Sequence, residues 1–333
     1  MKVLLYTEGK KVIGKSGLGK AINHQMKALD YAKVNYTTDP KDDYDILHIN
    51  TYLPYSYNLA LRAKKNGKKI VYHAHSTEED YKDGFILAKQ TSNAFKKWLI
   101  KCYSLGDVIV TPTPYSKKIL DSYGLNKKIY AISNGIDINK FKHDDKLAKE
   151  FRDSYGYKDS DKVIIGVGLY IERKGIVDFV ELARRMPEYK FIWFGYSPLA
   201  AATKPVRDAV RTKLANLKFA GYVSSDMIIG AMSGCDLYLF PTLEETEGIP
   251  IIEACACKCK ALIRDIPVFD GWLEDGVNVY KAKNICEFEE KIKKIINGEL
   301  LDLTDEAYKV ALDRKLEVIG QKLKSVYEEV LKD

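Results

Sequence analysis

Short apolar runs alternate with longer amphipathic stretches along the whole chain. The runs are typical of strands buried on both faces of a parallel sheet, and the stretches between them have helical spacing. This alternation predicts doubly wound parallel sheets, and two successive series predict two Rossmann-like domains. The predicted strands are Val3–Tyr6, Val34–Thr37, Asp45–Ile49, Ile70–His73, Val108–Pro112 and Ile129–Ile132, then Val163–Val167, Phe191–Phe194, Lys218–Ala220, Leu237–Phe240, Ala261–Ile263 and Val279–Tyr280.

One motif in the second series combines a strand end, an acidic turn and a helix start. Pro241 ends the strand, Glu245 lies in the turn, Gly248 permits close approach of a ligand, and Glu253 falls in the first turn of the next helix. Carboxylates there can accept hydrogen bonds from sugar hydroxyls, and the helix N–H groups, including that of Ile249, favour a phosphate. An acidic loop that only caps the helix is the alternative.

The spacing of Glu245, Gly248 and Glu253 resembles the signature of retaining nucleotide-sugar glycosyltransferases of the GT-B fold, family 4 type. The resemblance implies an α/β protein of two Rossmann-like domains facing a cleft, with a carboxyl-terminal helix that crosses back. It implies an acceptor-binding domain of residues 1–140 joined by 312–333, and a donor-binding domain of residues 141–311. The final amphipathic stretch, about 305–331, has the length of one long helix.

A glycine-rich segment follows the first strand and precedes a helix predicted from Ala21 to Leu29. It nearly spells a P-loop, but Ala21 stands where a hydroxyl would hold Mg²⁺. Gly14, Gly17 and Gly19 therefore predict a loop whose N–H groups hold phosphate. In the family such a loop faces the donor diphosphate.

Basic residues follow the first strand of the second series. Gly168, Arg173 and Lys174 lie between this strand and a helix start, where adjacent cations indicate an anion that offsets them. The family carries an arginine at the place of Leu169 and a lysine at that of Lys174. We therefore expect Lys174, with Arg173 as a substitute guanidinium, to grip the diphosphate. Gly195 and Tyr222, at two further strand ends, are predicted to line the nucleotide pocket.

His73 and His75 end the fourth predicted strand. A third ligand for a metal is not evident at useful spacing, and a strand-end histidine is more often structural than catalytic. The family carries an active-site histidine here, so the resemblance assigns His75 to the donor sugar. The catalytic set implied by the resemblance is His75, Glu245, Lys174 and Arg173.

The net charge and the cysteine spacing limit the classes of partner that the protein can have. A net charge of +7 indicates an anionic partner, and the six scattered or alternately spaced cysteines match neither a zinc pair nor a disulfide framework. No apolar run is long enough to span a bilayer and the first residues read as a strand, so we expect a cytoplasmic protein. The lysines are not clustered with aromatic side chains that could stack on bases, which argues against nucleic-acid binding.

A helical stretch from Leu87 to Tyr103 combines an apolar stripe with lysines. Lys96, Lys97, Trp98 and Lys101 fit an interfacial helix on anionic lipid, while a core-packed helix with a solvated lysine face is the alternative. The runs around His75 and Arg173 resemble enzymes that add a second hexose to a monoglycosyl-diacylglycerol. The resemblance thus implies retaining transfer of glucose or galactose from a UDP-sugar at the inner face of the cell membrane. The sequence has no Asp-x-Asp motif placed to hold a metal, so we expect no obligatory metal or cofactor.

Two other functions remain open at this point. One is a soluble transferase that acts on a wall or capsular polysaccharide or on a small molecule. The other is a non-catalytic protein that binds nucleotide-sugars, against which the joint presence of Glu245, Glu253 and His75 argues.

Overall fold

The computed structural model describes residues 1–9, 17–82 and 88–332. The chain forms two compact units. Unit 1 comprises Met1–Tyr81, Gln90–Asp137 and Arg314–Asp333, and unit 2 comprises Lys82–Lys89 and Ile138–Asp313.

Unit 1 is built on a six-stranded sheet in which all the recorded pairs are parallel, with the order β2-β1-β3-β4-β5-β6. Its strands are β1 (Lys2–Tyr6), β2 (Asn35–Thr37), β3 (Ile46–Ile49), β4 (Lys69–His73), β5 (Val108–Thr111) and β6 (Lys128–Ala131). The helices among its described residues are α1 (Gly17–Tyr31), α2 (Pro54–Lys65), α3 (Glu78–Lys82), α4 (Ala88–Tyr103), α5 (Pro114–Asp121) and, at the chain end, α13 (Leu316–Val330).

Helix α13 completes one face of the unit 1 sheet. Its apolar stripe, which includes Leu323 and Tyr327, packs with α1 against the strands. The helices approach closely, because a Cβ on Gly320 would lie 2.0 Å from the carbonyl oxygen of Ala28. On the other face, α2, α4 and α5 cover a second core that contains Tyr72 and Tyr103.

The prediction of one long helix over about 305–331 was wrong. The structure has α12 (Thr304–Leu312) and α13, separated by a break at residues 313–315. Lys315 is extended and forms a β-bridge with Ile136, where the N–H of Ile136 donates to Arg314 and that of Leu316 donates to Ile136. This long-range pairing overrides the local helical period, which continues through the break.

Unit 2 contains a second parallel sheet of six strands, with the order β12-β11-β10-β7-β8-β9. Its strands are β7 (Val163–Val167), β8 (Lys190–Phe194), β9 (Leu217–Gly221), β10 (Leu237–Phe240), β11 (Ala261–Arg264) and β12 (Tyr280–Ala282). The helices are α6 (Asp145–Tyr155), α7 (Ile176–Arg185), α8 (Lys204–Arg211), α9 (Ser225–Gly234), α10 (Ile249–Ala256), α11 (Ile285–Ile296) and α12.

The predicted fold class is confirmed. Each of the twelve predicted strands overlaps an observed one, and the two series form separate parallel sheets flanked by helices. In unit 2 the strand order reverses between β7 and β10, which are neighbours in the sheet. Ligands of open α/β sheets bind outside the carboxyl ends of the strands at such a switch point. The segments that follow β7 and β10 are therefore where a unit 2 ligand is expected.

Candidate active site

The two segments at the unit 2 switch point bring charged side chains together. After β7, the chain forms a short 3₁₀ turn, Glu172–Lys174, and then enters α7 through Gly175. After β10 comes the acidic turn that contains Glu245, and the chain then enters α10 through Gly248. Two strand ends and two helix starts thus lie side by side at one edge of the sheet.

Lys174, Arg173 and Glu245 form a compact ionic cluster at this edge. The Lys174 ammonium donates to Oε1 of Glu245, and the Arg173 guanidinium lies 3.6 Å from Oε2. The three side chains are only 14%, 15% and 6% exposed, respectively. Two cations share one carboxylate, so these three groups carry an excess of positive charge in a largely dry setting, where charge interactions are strong.

Hydrogen bonds fix the backbone around the cluster. The N–H of Leu243 donates to the carbonyl of Arg173 over 2.6 Å. Thr242, fully buried, donates its hydroxyl to the same carbonyl over 2.9 Å and lies 3.1 Å from Oε1 of Glu245. Arg173 donates to the carbonyl of Glu244 over 3.1 Å. Thr242 was not singled out from the sequence, because a threonine after a strand carries no distinctive signal.

The charge state of the cluster follows from these contacts. Burial alone would raise the pKa of the Glu245 carboxyl, but the charges of Lys174 and Arg173, with hydrogen bonds from Lys174 and Thr242, hold it below its ordinary value. The carboxylate is therefore ionised at neutral pH. The N-terminus of α7 directly follows Lys174 and adds a partial positive charge. The two cations can bind an anion such as a diphosphate, while the Glu245 carboxylate can accept hydrogen bonds from hydroxyl groups.

A row of glycines extends along the same edge of the sheet. Gly168, Gly195 and Gly221 end or follow β7, β8 and β9, and they are linked by hydrogen bonds from Gly168 to Phe194 (2.9 Å) and from Gly195 to Gly221 (2.7 Å). Gly195 has φ +121°, and a Cβ there would lie 2.1 Å from the Gly168 carbonyl oxygen. The close approach of the backbones that follow β7 and β8 therefore requires glycine at position 195.

Exposed aromatic rings border this row. Tyr196 and Tyr222 are 56% and 60% exposed, and they lie two residues and one residue after the ends of β8 and β9, respectively. The Tyr196 ring packs edge-on against Tyr170 at a centroid distance of 5.8 Å. Such rings can stack against a nucleobase.

Helix α10 carries the second glutamate of the predicted signature. Gly248 begins it with φ +90°, a conformation that favours glycine. Glu253 is fully buried, and Ile249 is 7% exposed. Burial raises the pKa of the Tyr238 phenol, and the charges of Glu253 and Glu245 raise it further, which places both carboxylates near this ring.

Unit 1 contains a stack of histidines at the end of β4. The rings of His73 and His75 lie parallel at 4.0 Å, and His48 stacks on His73 at 5.3 Å. Nε2 of His75 contacts Oδ1 of Asn50 at 2.8 Å, and Nε2 of His48 lies 3.2 Å from Nδ1 of His73. On the other side, Nδ1 of His48 contacts the hydroxyl of Tyr327 at 2.5 Å, so helix α13 closes the stack. His48 and Asn50 were not predicted as part of this cluster.

Burial keeps these histidines neutral. It lowers the pKa of His75 to about 3, and burial together with the charge of His75 lowers that of His48 to about 3. Burial and the charges of its two neighbours also lower the pKa of His73 well below its ordinary value. Neutral imidazoles can donate and accept hydrogen bonds at the pH of most cells, so His75 is suited to bind hydroxyls.

The histidine stack predicts acid sensitivity of unit 1. Between the folded pKa of about 3 and the ordinary value of 6.5, the histidines of the unfolded chain bind protons that those of the folded chain do not. Their contribution to the free energy of unfolding is therefore fully present above pH 6.5 and is lost as the pH falls. Each buried histidine contributes up to about 1.4 kcal/mol per pH unit. We expect the unfolding temperature to fall between pH 7 and pH 4, measured by calorimetry. His48→Gln should flatten this slope and the exposed His143→Gln should not; equal slopes would contradict the prediction.

The glycine-rich segment is only partly described. Gly14 lies outside the described residues. Gly17 and Gly19 were predicted to lie in a loop before the helix. That prediction was wrong, because both lie in the first turn of α1. Gly19 is buried there.

The structure also corrects the predicted interfacial stripe of α4. Trp98 is partly buried, packs in the unit 1 core, and donates from Nε1 to the carbonyl of Tyr52 over 2.7 Å. Lys96 pairs with Glu78 at 3.3 Å and lies over the Tyr123 ring. Lys97 and Lys101 are exposed. The lysine face of α4 is therefore available to a partner, but its tryptophan is not.

The described residues contain neither a candidate metal site nor a candidate membrane-spanning helix. Within 1–9, 17–82 and 88–332, His, Cys, Asp and Glu side chains do not gather in threes in a way that could hold a metal ion. Over the same ranges, each helix is too short or too polar to cross a bilayer.

Solved structures match this fold over nearly the whole chain, and two family models match most of its sequence. The structure matches that of Anabaena HepE, solved with UDP and glucose, with a TM-score of 0.78 at 16% identity, covering 99% of this chain and 100% of that one. It matches sucrose-phosphate synthase from Thermosynechococcus elongatus with a TM-score of 0.81 at 14% identity, covering 100% and 99%. Residues 27–140 match the model of Glycosyltransferase Family 4, and residues 148–311 match that of Glycosyl transferases group 1.

Curated relatives extend the match to the full length. The processive diacylglycerol alpha-glucosyltransferase of Acholeplasma laidlawii is 40% identical over 333 residues, which is all of this chain and 99% of the relative. The alpha-galactosylglucosyldiacylglycerol synthase of Streptococcus pneumoniae is 24% identical, covering 82% of this chain and 75% of the relative. The chain belongs to the family 4 and group 1 glycosyltransferases, and the family predicted from the sequence is confirmed.

Proposed function

We propose that the protein transfers a hexose from a UDP-hexose to a glycolipid, with monoglucosyl-diacylglycerol as acceptor and diglycosyl-diacylglycerol as product. The observation that carries the proposal is the buried cluster of Arg173, Lys174 and Glu245 at the unit 2 switch point. It combines positive charge for a diphosphate with a carboxylate for sugar hydroxyls. Two solved neighbours were crystallised with UDP and glucose or with UDP-glucose, which supports this donor class.

Three relatives support the acceptor and the stereochemistry. Their names describe alpha-glucosyl or alpha-galactosyl transfer to diacylglycerol lipids. UDP-glucose and UDP-galactose carry an α-linked diphosphate, so an α product means retention of configuration. We assign glucose or galactose as the transferred sugar and retention as the outcome.

Unit 2 is assigned to the donor. Lys174 and Arg173 would neutralise the β-phosphate oxygen as the bond from it to the anomeric carbon breaks. The acceptor hydroxyl would attack that carbon from the same face and pass its proton to the departing phosphate, giving UDP and the α-glycoside. Glu245 and Glu253 would orient the sugar and the ribose, and the glycine row with Gly195 would admit the nucleotide.

Unit 1 is assigned to the acceptor, and its His75 to the transfer step. A neutral imidazole held by Asn50 presents a fixed hydrogen-bonding atom, which suits a group that orients a hydroxyl.

We assign the membrane contact to exposed side chains of α2 and α4, here called the α2–α4 surface: Tyr55, Leu61, Arg62, Lys65, Lys97 and Lys101. Tyr55 and Leu61 are 50% and 41% exposed, and Lys101 lies over the ring of Tyr57, which links the two helices. Exposed apolar groups among cations match an anionic lipid surface. This contact implies a peripheral location on a membrane.

The membrane contact predicts charge-dependent binding to vesicles. Each basic residue near an anionic surface contributes about 1 kcal/mol, so Lys97→Gln/Lys101→Gln should weaken binding to phosphatidylglycerol vesicles roughly thirtyfold in sedimentation. Lys146→Gln/Lys149→Gln, on the exposed face of α6 in unit 2, is the matched control. Equal loss in both variants would show non-specific attraction, and unchanged binding in both would remove the assignment.

The proposed reaction is tested by offering UDP-glucose and UDP-galactose with diacylglycerol or monoglucosyl-diacylglycerol in mixed micelles. We expect a diglycosyl lipid with an α linkage, identified by mass and by the NMR coupling of its anomeric proton. A β linkage would overturn retention. Binding of the UDP-sugar without transfer to either lipid would overturn the acceptor and favour a soluble one.

A further inference from the structure

A polar cavity lies in unit 2 at the amino-terminal ends of its strands, opposite to the carboxyl ends that carry the ionic cluster. Its volume is about 290 Å³, and its lining residues include Lys162, Asp236 and Lys260, which directly precede β7, β10 and β11. His143, Cys235 and Cys259 also line it. Because the strands are parallel, the length of the strands separates these amino ends from the proposed donor site.

Two thiols meet at this cavity. The sulfur atoms of Cys235 and Cys259 are 3.3 Å apart, although the residues are 24 positions apart in the chain. Hydrogen bonds hold both backbones, from the N–H of Cys235 to Ala231 at 3.0 Å and from that of Cys259 to Ala254 at 2.9 Å. Cys235 is partly exposed and Cys259 is 4% exposed. The contact is therefore a fixed feature with one accessible partner.

The backbone geometry suits a covalent link. Cys235 precedes β10 and Cys259 precedes β11, and these strands are hydrogen-bonded neighbours, with Tyr238 opposite Ala261. The same register places Cys259 one residue out of line with Cys235. With strands about 4.8 Å apart and about 3.3 Å per residue, their Cα atoms are about 5.8 Å apart, within the range of about 4.4–6.8 Å that a disulfide requires. A bond between the two sulfurs thus requires little backbone movement.

We propose that Cys235 and Cys259 are a dithiol modification site that small peroxides convert reversibly to a disulfide. The Cys235 thiol loses its proton, and its thiolate attacks one oxygen of hydrogen peroxide and breaks the O–O bond. The sulfur becomes a sulfenic acid, and the departing hydroxide takes up the lost proton and leaves as water. The Cys259 sulfur then attacks the sulfenic sulfur, and the departing hydroxide takes the thiol proton as a second water. Two thiols lose two electrons, and the peroxide gains them.

The environment sets the order of these steps. The hydrogen bond with Cys235, and then burial, raise the pKa of the Cys259 thiol well above its ordinary value. Cys259 is therefore the poorer initial nucleophile, since the thiolate is the reactive form. Cys235 borders the cavity and reacts first, and Cys259 resolves the intermediate at contact distance.

The test is peroxide oxidation of the full chain at one equivalent, followed by alkylation, digestion and mass spectrometry. We expect a linked peptide of Cys235 and Cys259, lighter by two hydrogens and restored by dithiothreitol. Its yield should exceed oxidation of the exposed Cys286 roughly tenfold, because the resolving thiol is already in place. Cys286→Ser is the matched control and should leave the yield unchanged. Preferential oxidation of Cys286, or over-oxidation of Cys235 with Cys259 still free, would overturn the proposal.

A second measurement does not depend on oxidation. Phenylarsine oxide bonds two neighbouring thiols with loss of one water, so the wild-type protein should bind one equivalent, seen as an adduct by intact mass. Cys259→Ser should lose the adduct and, with peroxide, accumulate a sulfenic acid on Cys235 that a cyclic 1,3-diketone traps. An adduct retained in Cys259→Ser would place the reactive pair elsewhere and overturn the assignment.

Discussion

Replacement of Lys174 by methionine is expected to lower kcat for hexose transfer roughly 100- to 1,000-fold. The Lys174 side chain is 14% exposed and lies at the switch point of unit 2, where we place the departing diphosphate. Charge stabilisation of this kind is worth most in a site that excludes water, and loss of one such group costs about two to three orders of magnitude. The measurement is initial-rate kinetics in mixed micelles with saturating UDP-hexose.

The interpretation depends on separating lost chemistry from lost folding. Removal of Lys174 leaves the buried Glu245 with Arg173 at 3.6 Å as its remaining cation in the cluster, which can cost several kcal/mol of stability. Lys174→Met/Glu245→Gln removes both charges and should recover stability but not kcat. Lys281→Met is the matched control. Lys281 lies on β12, is 9% exposed, and is 3.7 Å from both Asp265 and Asp270. A tenfold or smaller fall in kcat for Lys174→Met, or an equal fall for Lys281→Met, would contradict the assignment.

Most of the fold could be predicted from the sequence because the inner strands of both sheets, such as β3, β5 and β10, are buried on both faces. Such strands appear as continuous apolar runs, and even Leu237–Phe240, four residues long, is distinct from the helices beside it. The break between α12 and α13 could not be predicted. It depends on the bridge between Ile136 and Lys315, which are far apart in the chain, while the residues at the break keep helical spacing.

The site shows the same limit. Lys174 and Glu245 were each identified from local motifs, but their ion pair spans 71 residues and depends on β7 lying beside β10. Thr242 has no local signal in the sequence, and its role is visible only through its contacts with the Arg173 carbonyl and the Glu245 carboxylate. Trp98 shows the converse, since an amphipathic stripe with a tryptophan is equally consistent with a lipid surface and with the core. Only the packing of its ring decides between them.

Gly175 connects the two segments of the cluster, and its replacement by alanine is expected to disrupt both. The residue has φ +72°, and a Cβ there would lie 2.1 Å from the carbonyl oxygen and 2.6 Å from the carbonyl carbon of Pro241. Both are backbone atoms, so the clash cannot be relieved by a side-chain rotation. The segment after β10 must move away from that after β7, which strains the hydrogen bonds from Thr242 and Leu243 to Arg173.

A matched glycine separates this clash from backbone strain. Gly298 has φ +73° and nothing within 4 Å of the corresponding Cβ position. Alanine in the left-handed region costs about 1–2 kcal/mol at either site, and overpacking adds about 1–3 kcal/mol. We therefore expect Gly175→Ala to lower the free energy of unfolding of unit 2 by about 3 kcal/mol and Gly298→Ala by about 1 kcal/mol, measured in urea. Gly175→Ala should also weaken UDP-hexose binding, by calorimetry, under conditions where it remains folded. Equal destabilisation with unchanged donor affinity would mean that the approach of Gly175 to Pro241 does not hold the cluster together.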